Sequence, residues 1–354
     1  MAKPIHPRPI LLLSFGHLVA DFYQGAVPAL LPLWKQAFGL QYAATGAMML
    51  ALQVSSSVVQ PIFGVLGDRF RNRYLLPLAV LLAGTGIAGA VLAGSYGAAI
   101  AGITLGGLGV ALYHPEASRR AHEKSGALRA TAMSWFSVGG NVGLGLGPLV
   151  VAGLMGWGAR ALALGLAGIA WVAALALVAG RSMFIWSGPE SSATGGGQGD
   201  RRAEAGMETR VPRRADRWGA LLLLATIVVM RSWTHAGVQA FVPLRLTDSG
   251  VSVARAQALL ALFLLAGAAG TLVGGPMADV VGRKPVIVAS MALAAPLMWL
   301  VGHVSSAWVP AALAALGFVL VSTFSVSVVL AQELLPGRVG TASGIVLGAS
   351  VGTG

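Results

Sequence analysis

The chain has 354 residues, of which 56% are apolar and only 10% are charged. Soluble domains carry roughly 25% charged residues, so the composition excludes an ordinary water-soluble fold and indicates a protein that buries apolar surface in lipid. The net charge of +12 does not indicate nucleic-acid binding, because the basic residues lie in alternate loops between apolar runs. Cysteine is absent, which excludes disulfide and thiol chemistry.

Ten apolar runs are long enough to cross a bilayer, since a helical crossing needs about 20 residues. They are predicted at 10–35, 43–66, 74–94, 96–115, 129–156, 159–180, 218–245, 253–277, 285–304 and 307–332. An eleventh run begins near residue 340 and continues to Gly354. The first run contains His17 and Asp21 and no clear small-residue cleavage site follows it, so we interpret it as a membrane helix and not as a cleavable signal.

The basic residues predict the orientation. With the N-terminus in the cytoplasm, 19 of the 24 Lys and Arg residues fall in cytoplasmic segments, as the positive-inside rule requires. The longest polar stretch, 181–217, is predicted to be a flexible cytoplasmic linker. It divides a six-helix half, 1–180, from a second half, 218–354. A complete copy would bring the total to twelve helices, so we expect the sequence to be a fragment that ends within the eleventh.

A short polar turn occurs twice, each time between apolar runs. The first copy is GVLGDRFRNR at 64–73 and the second is GPMADVVGRK at 275–284. Asp68 and Asp279 are 211 residues apart (279 − 68), and the same offset relates Gly64 to Gly275 and Arg73 to Lys284. This duplication indicates two copies of one membrane unit.

Two six-helix halves, a central loop and this repeated turn resemble the major facilitator superfamily of secondary transporters. The first turn departs from the pattern at Phe70–Arg71, and the second has Val280 at the usual basic position. Three stretches, SFGHLVADFYQGAVPALLP (14–32), YHPEASR (113–119) and SVGGNVGLGLGP (137–148), resemble the fosmidomycin-resistance subfamily. The resemblance implies an all-α major facilitator fold and proton-driven export of fosmidomycin or related drugs.

The repeated turns are the predicted gating loops. A carboxylate there can accept hydrogen bonds from the free N–H groups at a neighbouring helix start, or pair with arginine. The alternative is a solvated charged turn that only fixes the topology. The gating candidates are Gly64, Asp68, Arg69, Arg73, Gly275, Asp279, Gly282, Arg283 and Lys284.

Asp21 is the first candidate for proton coupling, because it lies near the middle of the first predicted helix, where an ionised carboxylate costs at least a few kcal/mol. Burial favours the protonated form and so suits reversible protonation. A structural hydrogen bond to a neighbouring helix is the alternative. His17 lies four residues earlier, on the same face of the helix, and is a second candidate for proton coupling.

Arg231 lies midway along the seventh run, with His235 four residues on. A guanidinium in the membrane needs a carboxylate partner or an anionic ligand. Pairing with Asp21 across the two halves and binding of a phosphonate-like or carboxylate substrate are both open. Arg231 and His235 are therefore candidate substrate residues.

Other polar groups lie within or at the ends of the predicted helices. His114 is a further candidate for substrate contact, and Glu116 either relays a proton or braces the helix end by pairing with Arg119 or Arg120, the brace being favoured. Gln53 and Asn141 are substrate candidates, although such neutral groups more often form hydrogen bonds between helices. Glycines 139, 143 and 147 leave one helix face bare for close packing.

The sequence contains no nucleophile triad and no metal-ligand spacing, so we predict a non-enzyme without metal or cofactor. The favoured function is a drug/proton antiporter in the bacterial inner membrane, monomeric, whose partners are protons, a small anionic or amphiphilic compound and the bilayer. A proton-linked symporter of an organic anion is the first alternative. A non-transporting membrane sensor or a membrane-embedded enzyme is the second.

Overall fold

A computed structural model describes residues 6–70, 72, 74–155, 157–180, 216–251, 253–304 and 307–352. The helices are α1 (Pro7–Phe38), α2 (Tyr42–Gln53), α3 (Gln60–Arg69), α4 (Leu75–Val91), α5 (Tyr96–Lys124), α6 (Arg129–Met155), α7 (Ala159–Gly180), α8 (Trp218–Asp248), α9 (Val253–Val281), α10 (Arg283–His303), α11 (Val309–Val321), α12 (Phe324–Leu334) and α13 (Val339–Gly352). A π-helical segment, Val54–Val58, joins α2 to α3. Most of the predicted linker and the gating candidate Arg73 lie outside the described residues, so both stay predictions.

The all-helical prediction is confirmed: a helix covers each of the ten predicted runs and the start of the eleventh. Two crossings are interrupted, the second by the π segment and the tenth at Ser322–Thr323. Eight helices in the described part of the chain are long and apolar enough to span a membrane, and two shorter apolar helices accompany them.

The helix ends follow local chemistry. Pro7 begins α1 at a position where a missing N–H costs nothing, and Gly39 ends it with φ 62°, its N–H bonded to the Lys35 carbonyl. Ser95 caps α5 by accepting from the Ala98 N–H. Helix α5 continues to Lys124, nine residues beyond the predicted end of the run at 115. The apolar pattern stops there, but Arg119 and Arg120 both pair with Glu116 and let the buried helix continue.

Antiparallel crossings bring several connections to one face of the bundle, which we call the turn face because the α3–α4 and α9–α10 turns lie there. The start of α1 also lies at this face, where the His6 N–H donates to the Lys124 carbonyl at 3.2 Å. The Arg217 N–H donates to the Leu334 carbonyl at 3.0 Å and fixes the start of α8 at the same level. Contacts between the halves join α3, α5 and α6 to α9, α12 and α13.

Helices α1 and α6 pack backbone to backbone along the bare glycine face. A Cβ added at Gly139, Gly143 or Gly147 would collide with the backbone of α1 at Ser14, Leu18 or Phe22 respectively. The predicted close packing is therefore present. Its partner is a helix of the same half, so these glycines tighten the first half internally.

Replacing Gly143 by alanine should destabilise the protein, because the new methyl group would meet the Leu18 carbonyl and the Phe22 amide of α1. Gly145→Ala is the matched control on the same helix. A Cβ at Gly145 would meet no described heavy atom within 4 Å beyond its own stretch of helix, so that change should be neutral or stabilise by up to about 1 kcal/mol. Thermal unfolding of both variants in detergent measures the difference. A melting temperature for Gly143→Ala equal to that of Gly145→Ala would contradict the packing described.

Candidate functional site

The two turn aspartates each cap a helix of the opposite half. Asp68 accepts from the backbone N–H of Gly340 and of Thr341, both at 2.8 Å, and from the Thr341 hydroxyl at 2.6 Å. Asp279 accepts from the N–H of Ala130 at 3.1 Å, and from the N–H and hydroxyl of Thr131 at 2.8 and 2.7 Å. Each carboxylate thereby satisfies orphan donors in the first turn of α13 or α6 and complements its dipole.

The glycines of the turns allow this approach. A Cβ at Gly64 would collide with the Gly340 carbonyl, and one at Gly275 with the Ala130 carbonyl. The two contacts are related by the repeat, as the two caps are. The turn face is therefore closed by a pair of equivalent cross-half contacts.

The other turn residues differ between the copies. Arg283 pairs with Asp279 at 3.1 Å and with Glu333 at 3.2 Å. Gly282 has φ 102°, in the region that favours glycine. Arg69 and Lys284 are exposed. In the second copy an arginine is therefore part of the cap.

Replacing Asp68 or Asp279 by alanine should open the turn face to a similar extent. A lost cap costs about 1–2 kcal/mol, which shifts a conformational population by about 5–30-fold. Spin labels on cysteines introduced at Leu128 and Gly337, both exposed at the turn face, would report opening as a longer distance in pulsed electron resonance. Lys284→Ala, in the same turn as Asp279, is the control. A distance distribution unchanged in both aspartate variants would count against the capping role.

Asp21 lies between two imidazoles in the interior of the first half. His17 Nε2 is 3.3 Å from Asp21 Oδ2, and His114 Nε2 is 3.0 Å from Asp21 Oδ1. The three residues are 2%, 7% and 4% exposed, in the order His17, Asp21 and His114. A Cβ at Gly140 of α6 would collide with Asp21 and His17. The space for these two side chains therefore depends on the absence of a side chain at Gly140.

Backbone contacts fix which imidazole nitrogen carries a hydrogen. His17 Nδ1 lies 2.9 Å from the Phe136 carbonyl, and His114 Nδ1 lies 2.8 Å from the Val110 carbonyl. A carbonyl only accepts, so both Nδ1 atoms donate. In the neutral ring each Nε2 then presents a lone pair to a carboxylate oxygen. Each contact becomes attractive only when a proton lies between the two atoms.

The trio of His17, Asp21 and His114 has two nitrogen–oxygen contacts, and each is attractive only with a proton between its atoms. Without a proton it carries one negative charge and two repulsive contacts. With one proton it is neutral, which suits a low-dielectric interior, and a second proton satisfies the remaining contact. One ring nitrogen of each histidine and one carboxylate oxygen lie within 4.8 Å of one another. The sequence predicted that His17 and Asp21 share a helix face, but it did not predict that His114 joins them. We interpret the direct 3.0 and 3.3 Å contacts as those of proton-sharing groups.

The candidate residues regroup in the structure. His114, a substrate candidate by sequence, lies with the proton-coupling candidates. Glu116 accepts from Arg119 at 2.8 Å and from Arg120 at 2.7 Å, the contacts expected of the brace. Gln53 is half-buried in the last turn of α2. Asn141 is half-buried on α6, and its Nδ2 is buried without a hydrogen-bond partner.

Arg231 forms the centre of a second buried cluster, in the second half. One terminal nitrogen donates to Ser350 Oγ at 3.2 Å, and the guanidinium carbon lies 5.2 Å from the centre of the Phe324 ring. The other terminal nitrogen, Nη1, is buried without a partner. Within the part of the chain that the structure describes, no carboxylate lies within ion-pair distance of Arg231. Pairing with Asp21, one of the two alternatives left open by the sequence, is therefore not present in this conformation.

His235 lies one turn beyond Arg231 and contacts Gln239, with 2.8 Å between Nδ1 and the amide nitrogen. Its ring packs against Phe263, with the ring centres 5.3 Å apart. This pairing extends the polar stripe of Arg231 along the same face of α8.

The two clusters occupy matching positions on the first helix of each half. Asp21 is 14 residues from the start of α1 (21 − 7) and Arg231 is 13 residues from the start of α8 (231 − 218). At 1.5 Å per residue both lie about 20 Å from the turn-face end of their helices. The repeat offset of 211 places the counterpart of Arg231 at Ala20, next to Asp21.

Sequence reasoning missed the partners of the turn aspartates. A signal was present, because the pair Thr131–Ala132 recurs as Thr341–Ala342 at an offset of 210. Val110 and Phe136 contribute backbone carbonyls to the trio, and the Phe136 ring also stacks on His17 with 4.3 Å between the ring centres. No sequence pattern marks a backbone carbonyl for such a role.

The described helices thus form two repeated sets, each with a buried ionisable cluster, and the reciprocal caps join them. The family model described as Major Facilitator Superfamily matches residues 13–354, and the chain belongs to this family of transporters. The chain is 33% identical over 346 residues to the fosmidomycin resistance protein of Escherichia coli (strain K12), covering 97% of this chain and 82% of that protein. It is 32% identical over 349 residues to the uncharacterized MFS-type transporter YfnC of Bacillus subtilis (strain 168), covering 98% and 83%.

Solved structures of the family share the fold. The human organic anion transporter MFSD10 superimposes with a TM-score of 0.72 at 19% identity, covering 99% of this chain and 92% of that one. The transporter FucP in the outward conformation gives a TM-score of 0.68 at 13% identity, with 98% and 89% covered. The predicted family, the fold class and the non-enzymatic character are thus confirmed.

Proposed function

We propose that the protein is a proton-coupled antiporter of the bacterial inner membrane that exports fosmidomycin-like or other small anionic or amphiphilic compounds. The observation that carries the proposal is the trio of His17, Asp21 and His114, whose two Nε2–carboxylate contacts require protons to be attractive. Reversible occupancy by protons is the property that a coupling site needs.

The anionic character of the substrate rests on Arg231. A buried guanidinium without a carboxylate partner is costly, and Nη1 lacks a hydrogen-bond acceptor. A phosphonate or carboxylate entering beside Ser350 would supply both the charge and the acceptor in a bidentate geometry. The E. coli relative carries fosmidomycin in its name, which makes that compound the first substrate to test.

Coupling between proton and substrate would arise because the proton site lies in one half and the substrate site lies in the other. The trio lies wholly on α1, α5 and the neighbouring backbone of α6, whereas Arg231 contacts α12 and α13. Rocking of one half against the other changes the water access of both clusters together. A proton bound from one side and an anion bound from the other would therefore move in opposite directions.

The expected topology indicates which side of the membrane the closed turn face lies on. With the N-terminus in the cytoplasm, the turn face is the cytoplasmic face, and the Asp68 and Asp279 caps hold it closed. The structure then corresponds to a conformer that is closed to the cytoplasm. In the next step of export the caps would release, and the cluster around Arg231 would face the cytoplasmic solution.

The test is transport in proteoliposomes under an imposed pH gradient. For an antiporter, radiolabelled fosmidomycin should accumulate in vesicles whose lumen is more acidic than the medium, because protons leaving the lumen drive the compound in. A proton-linked symporter would accumulate the compound only under the opposite gradient. Equal accumulation under both directions of the pH gradient would refute proton coupling.

A further inference from the structure

A polar network joins the two halves at the turn face, apart from the turn motifs. Gln332 of α12 donates through Nε2 to Ser118 Oγ of α5 and to Ser343 Oγ of α13, both at 2.9 Å. Its Oε1 lies 2.8 Å from His122 Nδ1 of α5. Ser118, Gln332 and Ser343 are at most 1% exposed, so these bonds are shielded from water.

The donors and acceptors are mutually consistent. An amide oxygen only accepts, so His122 Nδ1 donates to Gln332. Ser343 donates to the Val339 carbonyl at 2.8 Å, which leaves its oxygen free to accept from Gln332. Every polar atom of the Gln332 side chain is thereby bonded, and two of its three partners belong to the other half.

The bond between Gln332 and His122 joins equivalent positions of the internal repeat. The offset of 210 that relates Thr131 to Thr341 also relates His122 to Gln332, because Ala121-His122-Glu123 recurs as Ala331-Gln332-Glu333. The aspartate caps form two separate equivalent contacts, whereas this bond is a single contact between two equivalent residues. It therefore adds a direct contact between α5 and α12 to the contacts that the caps supply.

Opening at this position has a route for water. A cavity of about 360 Å³ lies beside the bridge and is lined by His122, Arg129, Gln332, Glu333 and Pro336. When the halves separate, water entering from this cavity can replace the bonds to Ser118 and His122 at little enthalpic cost. Gln332 keeps its bond to Ser343, which belongs to its own half, and so stays oriented for closure.

We propose that Gln332 is a positioning residue of the transport cycle, which holds the turn face closed by bridging Ser118 and His122 and so sets the fraction of molecules open at that face. The inference depends on the closed turn face and not on the direction of transport or its coupling to protons.

The absence of cysteine allows a direct test with one introduced thiol. Ser134 on α6 is fully buried beside Gly275 of α9, on a different seam between the halves from the Gln332 bridge. In a Ser134→Cys background, Gln332→Leu keeps the approximate volume of the side chain but removes the bridge. Loss of two cross-half hydrogen bonds should raise the rate of labelling by N-ethylmaleimide about tenfold.

Thr226→Val is the matched control, because the Thr226 hydroxyl bonds only within α8 and is exposed; its labelling rate should equal that of the parent. Ser118→Ala removes the bond from Gln332 and also the direct bond from Ser118 to Ser343 at 3.2 Å, so it should also raise labelling. Combined with Gln332→Leu, its effect should be less than additive, since the two changes share the loss of the Gln332–Ser118 bond. An unchanged labelling rate in folded Gln332→Leu, or fully independent effects of the two changes, would overturn the proposal.

Discussion

Replacing Asp21 by asparagine should abolish proton-driven accumulation of the transported compound. Asparagine keeps the size of the side chain but cannot bind or release a proton, and its amide would present a fixed donor to one of the two imidazoles. The trio would then lose the neutral one-proton state from which it cycles. We expect accumulation driven by a pH gradient to fall to the level of empty liposomes.

Exchange of the transported compound across the membrane in the absence of a pH gradient should survive in Asp21→Asn. Among the described residues, the polar contacts of the Asp21 cluster lie within its own half, so the fold and the Arg231 cluster should remain intact. Asp216→Asn is the matched control, because Asp216 is a partly exposed carboxylate that pairs with Arg338 at 3.6 Å. Gradient-driven accumulation that persists in Asp21→Asn would remove Asp21 from the coupling mechanism.

Replacing Arg231 by lysine should lower the affinity for an anionic substrate by about 10–100-fold. Lysine retains the charge but loses the planar pair of donors that binds a phosphonate or carboxylate in a bidentate manner. Hydrogen bonds to charged groups contribute about 1.5–3 kcal/mol each, which corresponds to that change in affinity. Competition binding of fosmidomycin to purified protein measures the effect.

Two comparisons give this result its meaning. Arg245→Lys lies on the same helix, but Arg245 is exposed and donates to the Gly302 carbonyl, so its change should leave the affinity unaltered. A neutral amphiphilic competitor should lose much less affinity for Arg231→Lys than fosmidomycin does. Equal losses for the charged and the neutral compound would indicate that Arg231 supports the fold and does not bind the anion.

The fold could be predicted because its signals are local. Apolar runs of membrane length and the repeated turn with Asp68 and Asp279 each depend on neighbouring residues, and the structure has helices at all the predicted places. The errors lie where polar residues continue a helix. Hydropathy ends the fourth run at residue 115, because it cannot register that Arg119 and Arg120 are paired with Glu116 and Glu123.

The candidate site could be predicted only in part. Asp21 and Arg231 stand out because ionisable groups are rare in membrane helices. The meeting of Asp21 with His114 depends on how α1 and α5 pack, and 93 residues separate the two in the sequence (114 − 21). The role of Gln332 could not be predicted, since its two partners in the other half, His122 and Ser118, lie more than 200 residues away in the sequence.

The division of the two clusters between the halves has a mechanistic consequence. Proton and anion sites that do not touch cannot couple by direct competition in this conformation, so coupling has to pass through the relative position of the halves. The reciprocal caps and the Gln332 bridge are the contacts that distinguish one position from the other. Variants of these residues should change the rate of exchange more than the affinity for either ligand.

The most direct test is whether substrate binding and proton binding are linked. Fosmidomycin added to the purified protein in weakly buffered detergent solution should release protons in proportion to the amount bound, and Asp21→Asn should bind the compound without releasing any. Binding by the unmodified protein with no change in pH, confirmed by calorimetry in the same solution, would contradict the assignment of the His17–Asp21–His114 trio as the coupling site.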